Sequence, residues 1–104
     1  MREITARAGE GTPNDVEVYR QIFQGKWRLP ILREIAGGPR RLSNLRRSVP
    51  HASKKMLVDT LHGLERMGWI VRTEYEEATR RVEYSLSEEH SEKILGILNS
   101  IPHP

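Results

Sequence analysis

Two prolines limit this chain more tightly than anything else in it. Pro39 follows Gly37 and Gly38, a pairing that closes a preceding helix with a left-handed glycine and then forbids its continuation. Pro50 disfavours helical geometry at Val49, so no helix entering from the left can run past about Ser48. The segment between them, RRLSNLRRSV, holds at most a short edge strand at RRL and a short helix. Ser43 is the expected cap of that helix, with Leu42 and Leu45 facing inward. VPHA then forms a tight turn. Ser53 caps a longer helix, SKKMLVDTLHGLERMG, whose Leu57, Leu61 and Leu64 form a buried stripe with Met56, Thr60 and Met67 beside it. Lys55, Val58, Asp59, His62 and Arg66 fall on the opposite side at 100° per residue. Gly63 costs this helix about 1 kcal/mol relative to alanine, and Gly68 ends it.

Upstream, residues 1–13 are polar and read as a mobile tail, followed by one domain over residues 14–104. Val16, Tyr19, Ile22 and Phe23 recur at helical spacing after Asn14 or Asp15, and Gly25 closes that helix. Trp27, Ile31, Leu32 and Ile35 face inward on the next, where Pro30 is tolerable only in the first turn. Downstream of Gly68 the period switches to two. Trp69, Val71 and Tyr75 alternate in one strand and Val82, Tyr84 and Leu86 in the other, joined by the charged tip EEATR. Ser87 caps a terminal helix with acids in its first turn, then Ile94, Leu95, Ile97, Leu98 and Ile101.

A short helix, a tight turn, a longer capped helix and a hairpin make a winged helix-turn-helix, mainly α with a small β-hairpin wing. Its second helix enters the major groove with its N-terminal residues nearest the bases. The charge follows the same elements. Residues 40–55 contain six cations and no anion, and no Asp or Glu occurs between Glu34 and Asp59, although the net charge of the 104 residues is only +3. A solvated face has no reason to track the groove-facing elements, so this block is read as a DNA-facing surface.

The stretch from GKW through RVEYSLS (residues 25–87), with its GKW…IL start, GPRR-LS-LRR run, S-K-ML…L..LE..G helix and RVEYSL strand, resembles the HxlR-type family of bacterial winged helix-turn-helix transcriptional regulators. The likeness extends over residues 14–98. It implies a homodimer paired through its terminal helices on an inverted-repeat operator, repressing or activating a nearby gene. The dimerisation residues are then expected to be Val16, Tyr19, Phe23, Ile94, Leu95, Leu98 and Ile101. Three positions depart from the pattern. Asn14 stands where such regulators commonly carry a sensing cysteine, Thr60 where the recognition helix often has arginine, and Pro30 where an aliphatic residue is usual.

Within that frame, Lys55 is expected at bases or phosphates and Lys54 at phosphate, while Val58 can meet a thymine methyl and Asp59 a cytosine N4 amine. For Asp59 the competing role is an ion pair with Lys55 or His62. Ser53 and Ser43 serve first as caps and second as phosphate donors. Arg40, Arg41, Arg46 and Arg47 are phosphate candidates, one or two of them diverted to internal salt bridges. Arg80 or Arg81 can enter the minor groove from the wing, and alternation points one of them the other way.

The remaining chemistry is sparse. With no cysteine, thiolate metal sites, disulfides and thiol switches are excluded within this sequence. His51, His62, His90 and His103 share no ligand spacing, so no metal and no cofactor is expected, with His90 and His103 facing solvent. No nucleophile–base motif or phosphate loop suggests an enzyme. No apolar run approaches the roughly 20 residues of a membrane span, and no secretory signal is evident, so a cytoplasmic protein is expected. The first, second and terminal helices could frame an apolar pocket for a small-molecule effector. The alternative to a regulator is the same fold used as a protein-interaction module.

Overall fold

A computed structural model describes residues 14–76, 78 and 80–102. The expected tail at residues 1–13, Glu77 and Thr79 of the hairpin tip, and His103 lie outside the described residues. Five helices and one hairpin follow in order: α1 (Asp15–Ile22), α2 (Arg28–Ala36), α3 (Leu42–Ser48), α4 (Lys54–Arg66), β1 (Ile70–Tyr75), β2 (Arg81–Leu86) and α5 (Glu88–Ser100). This is the winged helix-turn-helix that the prolines and the period switch imply.

The helix starts follow their capping chemistry. Asn14 accepts from the Glu17 N–H at 2.8 Å, Ser53 from Met56 at 3.1 Å and Ser87 from His90 at 3.4 Å, each satisfying a first-turn N–H that the helix cannot reach. Pro30 sits at the third position of α2, inside the first turn, so its missing N–H removes no intrahelical bond. Gly68 ends α4 at φ +79°. The Gly68 N–H donates to the Glu65 carbonyl at 2.9 Å and the Trp69 N–H to Leu64 at 3.0 Å, a Schellman closure that needs the left-handed residue. The same turn places buried Trp69 against buried Leu64.

Two local expectations are corrected. The RRL strand shrinks to one bridge, in which Arg40 and Tyr84 exchange backbone hydrogen bonds of 2.9 and 2.8 Å, because α3 already begins at Leu42. Consequently Arg41, not Ser43, is the cap residue, and the Asn44 side chain takes up the Arg41 N–H at 3.0 Å. Ser43 lies inside the first turn, exposed.

One core joins all the helices to the hairpin. Val18, Ile22, Ile31, Leu32, Ile35, Leu45, Leu57, Leu61, Leu64 and Ile94 are essentially sealed from solvent, with Trp69, Ile70, Tyr84, Leu98 and Ile101 at its edges. The hairpin pairs Ile70 with Leu86, Arg72 with Tyr84 and Glu74 with Val82. That register puts the apolar residues of β2 on the face shared with Ile70, whereas Val71 and Tyr75 lie on the other face and are exposed. Met56, expected beside the buried stripe, is exposed as well. His90 departs the other way: its side chain is only 11% exposed. It lies over Gly68, where a first side-chain carbon would come within 4.0 Å of its Cε1.

The terminal helices divide their apolar residues differently. On α1, Val18 and Ile22 enter the core, while Val16, Tyr19 and Phe23 are 74, 50 and 45% exposed. On α5, Ile94 and Leu98 are buried, as is Ile101 at its end, and Leu95 is half-buried. Ile94, Leu98 and Ile101, expected on a dimer seam, thus form part of the chain's own core. A core of this size has no other source of side chains under α1 and α2. No described helix is long and apolar enough to cross a membrane.

Candidate nucleic-acid interface

The cationic block divides by what its members touch. Arg40 folds back over the end of α2, with Nε 3.8 Å from a Glu34 oxygen and Nη1 donating to the Pro39 carbonyl at 3.2 Å. It is the internal salt bridge foreseen for one of the four arginines. Arg41, Arg46 and Arg47 are exposed and carry no ion-pair partner among the described residues. The proximate reason is compositional, since the nearest carboxylates in sequence are Glu34 and Asp59. Lys54, in the first turn of α4, is likewise exposed and unpaired among the described residues.

Lys55 and Asp59 take the competing role. Lys55 Nζ donates to Asp59 Oδ2 at 2.8 Å, one helical turn apart, with both side chains largely exposed. That hydrogen bond, followed by the attraction of the two charges, holds the Asp59 carboxyl below its ordinary range and the Lys55 ammonium above its own. Val58 is half-buried beside them and Ser53 is occupied as a cap, though its side chain remains exposed. Thr60 returns its hydroxyl to the Met56 carbonyl at 2.7 Å, so that group is committed within the helix.

The wing is organised around acids. Glu74 accepts from Arg72 and, at 2.7 Å, from Arg80, and these two partners in that order lower its carboxyl below the usual value. Arg81 lies over the Tyr75 ring at 4.3 Å and within 3.1 Å of Glu83. Arg80 and Arg81 therefore turn to opposite faces of the hairpin, as strand alternation requires. Sequence reasoning named both arginines and missed Glu74; its place between Arg72 and Arg80 becomes visible only once the strands are paired.

The hollow between α1 and α5 does not match the apolar effector pocket expected from the first, second and terminal helices. It is edged by Asp15, Glu92, Lys93 and Ser100, with Gly96 and Ile97 between them. A different groove runs along the flank of α4 against residues 24–28, lined by Trp27, Met56 and Gly63 among others. Nothing in the linear pattern announced it, because its walls come from segments about 30 residues apart.

The same surface occurs in known proteins. A family model described as HxlR-like helix-turn-helix matches residues 22–103. The HTH-type transcriptional regulator YkvN of Bacillus subtilis is 38% identical over 85 residues, covering 82% of this chain and 71% of that protein. A MarR-family transcriptional regulator from Porphyromonas gingivalis superposes with a TM-score of 0.71 at 41% identity, covering 88% of this chain and 86% of its own. The redox regulator HypR in its reduced form gives 0.73 at 29% identity, with 84 and 85% coverage.

Proposed function

This chain belongs to the HxlR-like helix-turn-helix family and is a DNA-binding transcriptional regulator, and from that premise we propose that it acts as a homodimer on an inverted-repeat operator. In this reading α4 enters the major groove, α3 and the turn lie along the phosphates, and the wing reaches the minor groove or backbone. The observation that carries it is the cluster Arg41, Arg46, Arg47 and Lys54: exposed cations without carboxylate partners among the described residues, on the elements that face a duplex. Charges already neutralised by protein would release no counterions, whereas these can.

Base contact falls to the start of α4. Lys55 and Asp59 present a paired donor and acceptor, and Val58 an apolar edge, so sequence reading there requires the pair to open or to bind as a unit. HypR is a redox regulator. This chain has no cysteine, so any signal it senses reaches it by other than thiol chemistry.

The dimer reading rests on α1. Val16, Tyr19 and Phe23 form an exposed apolar stripe, with the two rings 5.0 Å apart, and half-buried Leu95 adds to the apolar side of α5. Replacing Tyr19 and Phe23 by glutamate is expected to leave the fold intact and give a monomer in sedimentation. An unchanged dimer would remove α1 from the interface. Leu98, by contrast, lies in the core, so a charge there unfolds the chain rather than separating two copies.

Fluorescence anisotropy against the upstream intergenic duplex and a shuffled duplex, across about 50–200 mM salt, tests the whole reading. Tight binding to the native duplex alone, with a steep salt slope, is expected. Absence of binding to either duplex at low salt would instead favour a protein-interaction module.

A further inference from the structure

The groove beside α4 has a composition that neither the fold nor DNA contact requires. Its apolar wall is the Trp27 indole, whose Nε1–H donates to the Met56 sulfur at 3.2 Å, fixing the ring across from the helix. Its floor is Gly63, in the middle of α4. A side-chain carbon at Gly63 would sit 3.9 Å from Arg28 Nη2 and 4.0 Å from Arg66 Nη2, which is ordinary contact. Packing therefore permits alanine, and the helix would favour it. The bare floor has no structural cause in this chain.

The charge is equally lopsided. Arg28 is half-buried and reaches no carboxylate: its Nη1 donates to the Gln21 carbonyl and to Gln21 Oε1, both at 3.0 Å, leaving Nη2 turned to the groove. Loss of water lowers its affinity for its proton, the signature of a cation short of a counter-charge. Arg66 faces it from the far side of Gly63, and Lys26 stands 5.5 Å over the Trp27 ring. The one acid lining the groove, Asp59, is already bound to Lys55. The two Nη2 atoms lie within about 8 Å of each other, a gap that one carboxylate accepting at about 2.8 Å from each can bridge. The groove encloses about 440 Å³, within the range of small-ligand sites.

We propose that this groove binds a small aromatic carboxylate, its ring against Trp27 and Met56 over the bare Gly63 floor and its carboxylate between Arg28 and Arg66. Asp59 and Arg66 also belong to the outward side of α4, so an anion seated here adds negative charge beside the DNA-facing surface and weakens duplex binding. That last step rests on the DNA-binding reading; the ligand site itself does not.

Titration of the intact chain with benzoate, and in parallel with neutral benzamide, followed by nuclear magnetic resonance, tests the site without DNA. Benzoate is expected to shift the Trp27 indole N–H saturably while the buried Trp69 indole stays still, and benzamide to bind at least about tenfold more weakly. Arg66→Gln and Arg28→Gln should each weaken benzoate about tenfold. Gly63→Ala should do the same while melting at a higher temperature than the parent, which separates a filled floor from a damaged fold. No saturable shift at Trp27, equal binding of benzamide, or undiminished binding by Arg66→Gln and Gly63→Ala would overturn the proposal. So would loss of duplex affinity in the arginine variants with no benzoate binding, since the guanidiniums would then serve phosphate. Benzoate binding by a chain that binds no duplex would uphold the site and remove the regulator reading.

Discussion

The helix-turn-helix and the wing both carry arginine toward one side of the molecule, yet they hold it in opposite ways. Around α3 and the start of α4, Arg41, Arg46, Arg47 and Lys54 have no acid to meet among the described residues. On the wing, Arg72 and Arg80 share Glu74, and Arg81 is placed between Tyr75 and Glu83. The first arrangement stores positive potential that only an outside anion can neutralise. The second fixes side-chain positions at the cost of that potential. Lys55, tied to Asp59, stands at the border between them. Affinity is thus expected to come from the helix-turn-helix and fine adjustment from the wing.

The largest effect should come from Arg46→Ala with Arg47→Ala. Loss of two phosphate contacts lowers the log–log salt slope by about 2 and weakens native and shuffled duplexes alike. A double variant that binds as tightly as the parent would break the contrast at its stronger end. On the wing, Arg80→Ala should cost only a few-fold in affinity, because Glu74 already offsets that charge. Glu74→Gln should sharpen the comparison by releasing both Arg72 and Arg80, giving tighter and more salt-sensitive binding in the same anisotropy titration.

Asp59→Asn is the subtler test at the border. Freed from its partner, Lys55 should raise affinity for shuffled DNA more than for the native duplex. The smallest effect is on stability. The folded-state Asp59 carboxyl lies below its ordinary value of 3.8, so the pair's contribution is present above that value and fades as pH falls through the depressed one. Lys55 is shifted upward from 10.5, so at the alkaline end the same contribution is lost only as pH rises through that raised value. Melting temperatures of parent and Asp59→Asn should therefore differ slightly at neutral pH and converge in acid. Because the pair is exposed, the difference is small and salt-screened.

Much of this contrast is legible in the order of the residues. The absence of acids between Glu34 and Asp59 already implies free cations on α3, and Leu57, Leu61 and Leu64 already orient α4. Local rules suffice there because a helix relates residues three and four apart in a fixed way. They misplace Ser43, since the backbone bridge from Arg40 to Tyr84 and the early start of α3 make Arg41 the cap. They also cannot apportion the aliphatic residues of the terminal helices, because one apolar pattern serves equally for a core and for an interface. Ile94 and Leu98 enter the core, and Val16 and Tyr19 do not.

By itself, the sequence determined the order of elements, the helix limits set by Pro39, Pro50 and Gly68, and the sign of the DNA-facing surface. These are properties of adjacent residues: proline and glycine restrict their own backbone, and charge adds up wherever it lies. Only the tertiary structure decided which arginines remain free, which terminal side chains are exposed, and that Trp27, Gly63, Arg28 and Arg66 surround one groove. Those outcomes depend on distances between segments brought together by folding. A one-residue change in register or a small rotation of a helix would alter them without changing a letter of the local pattern.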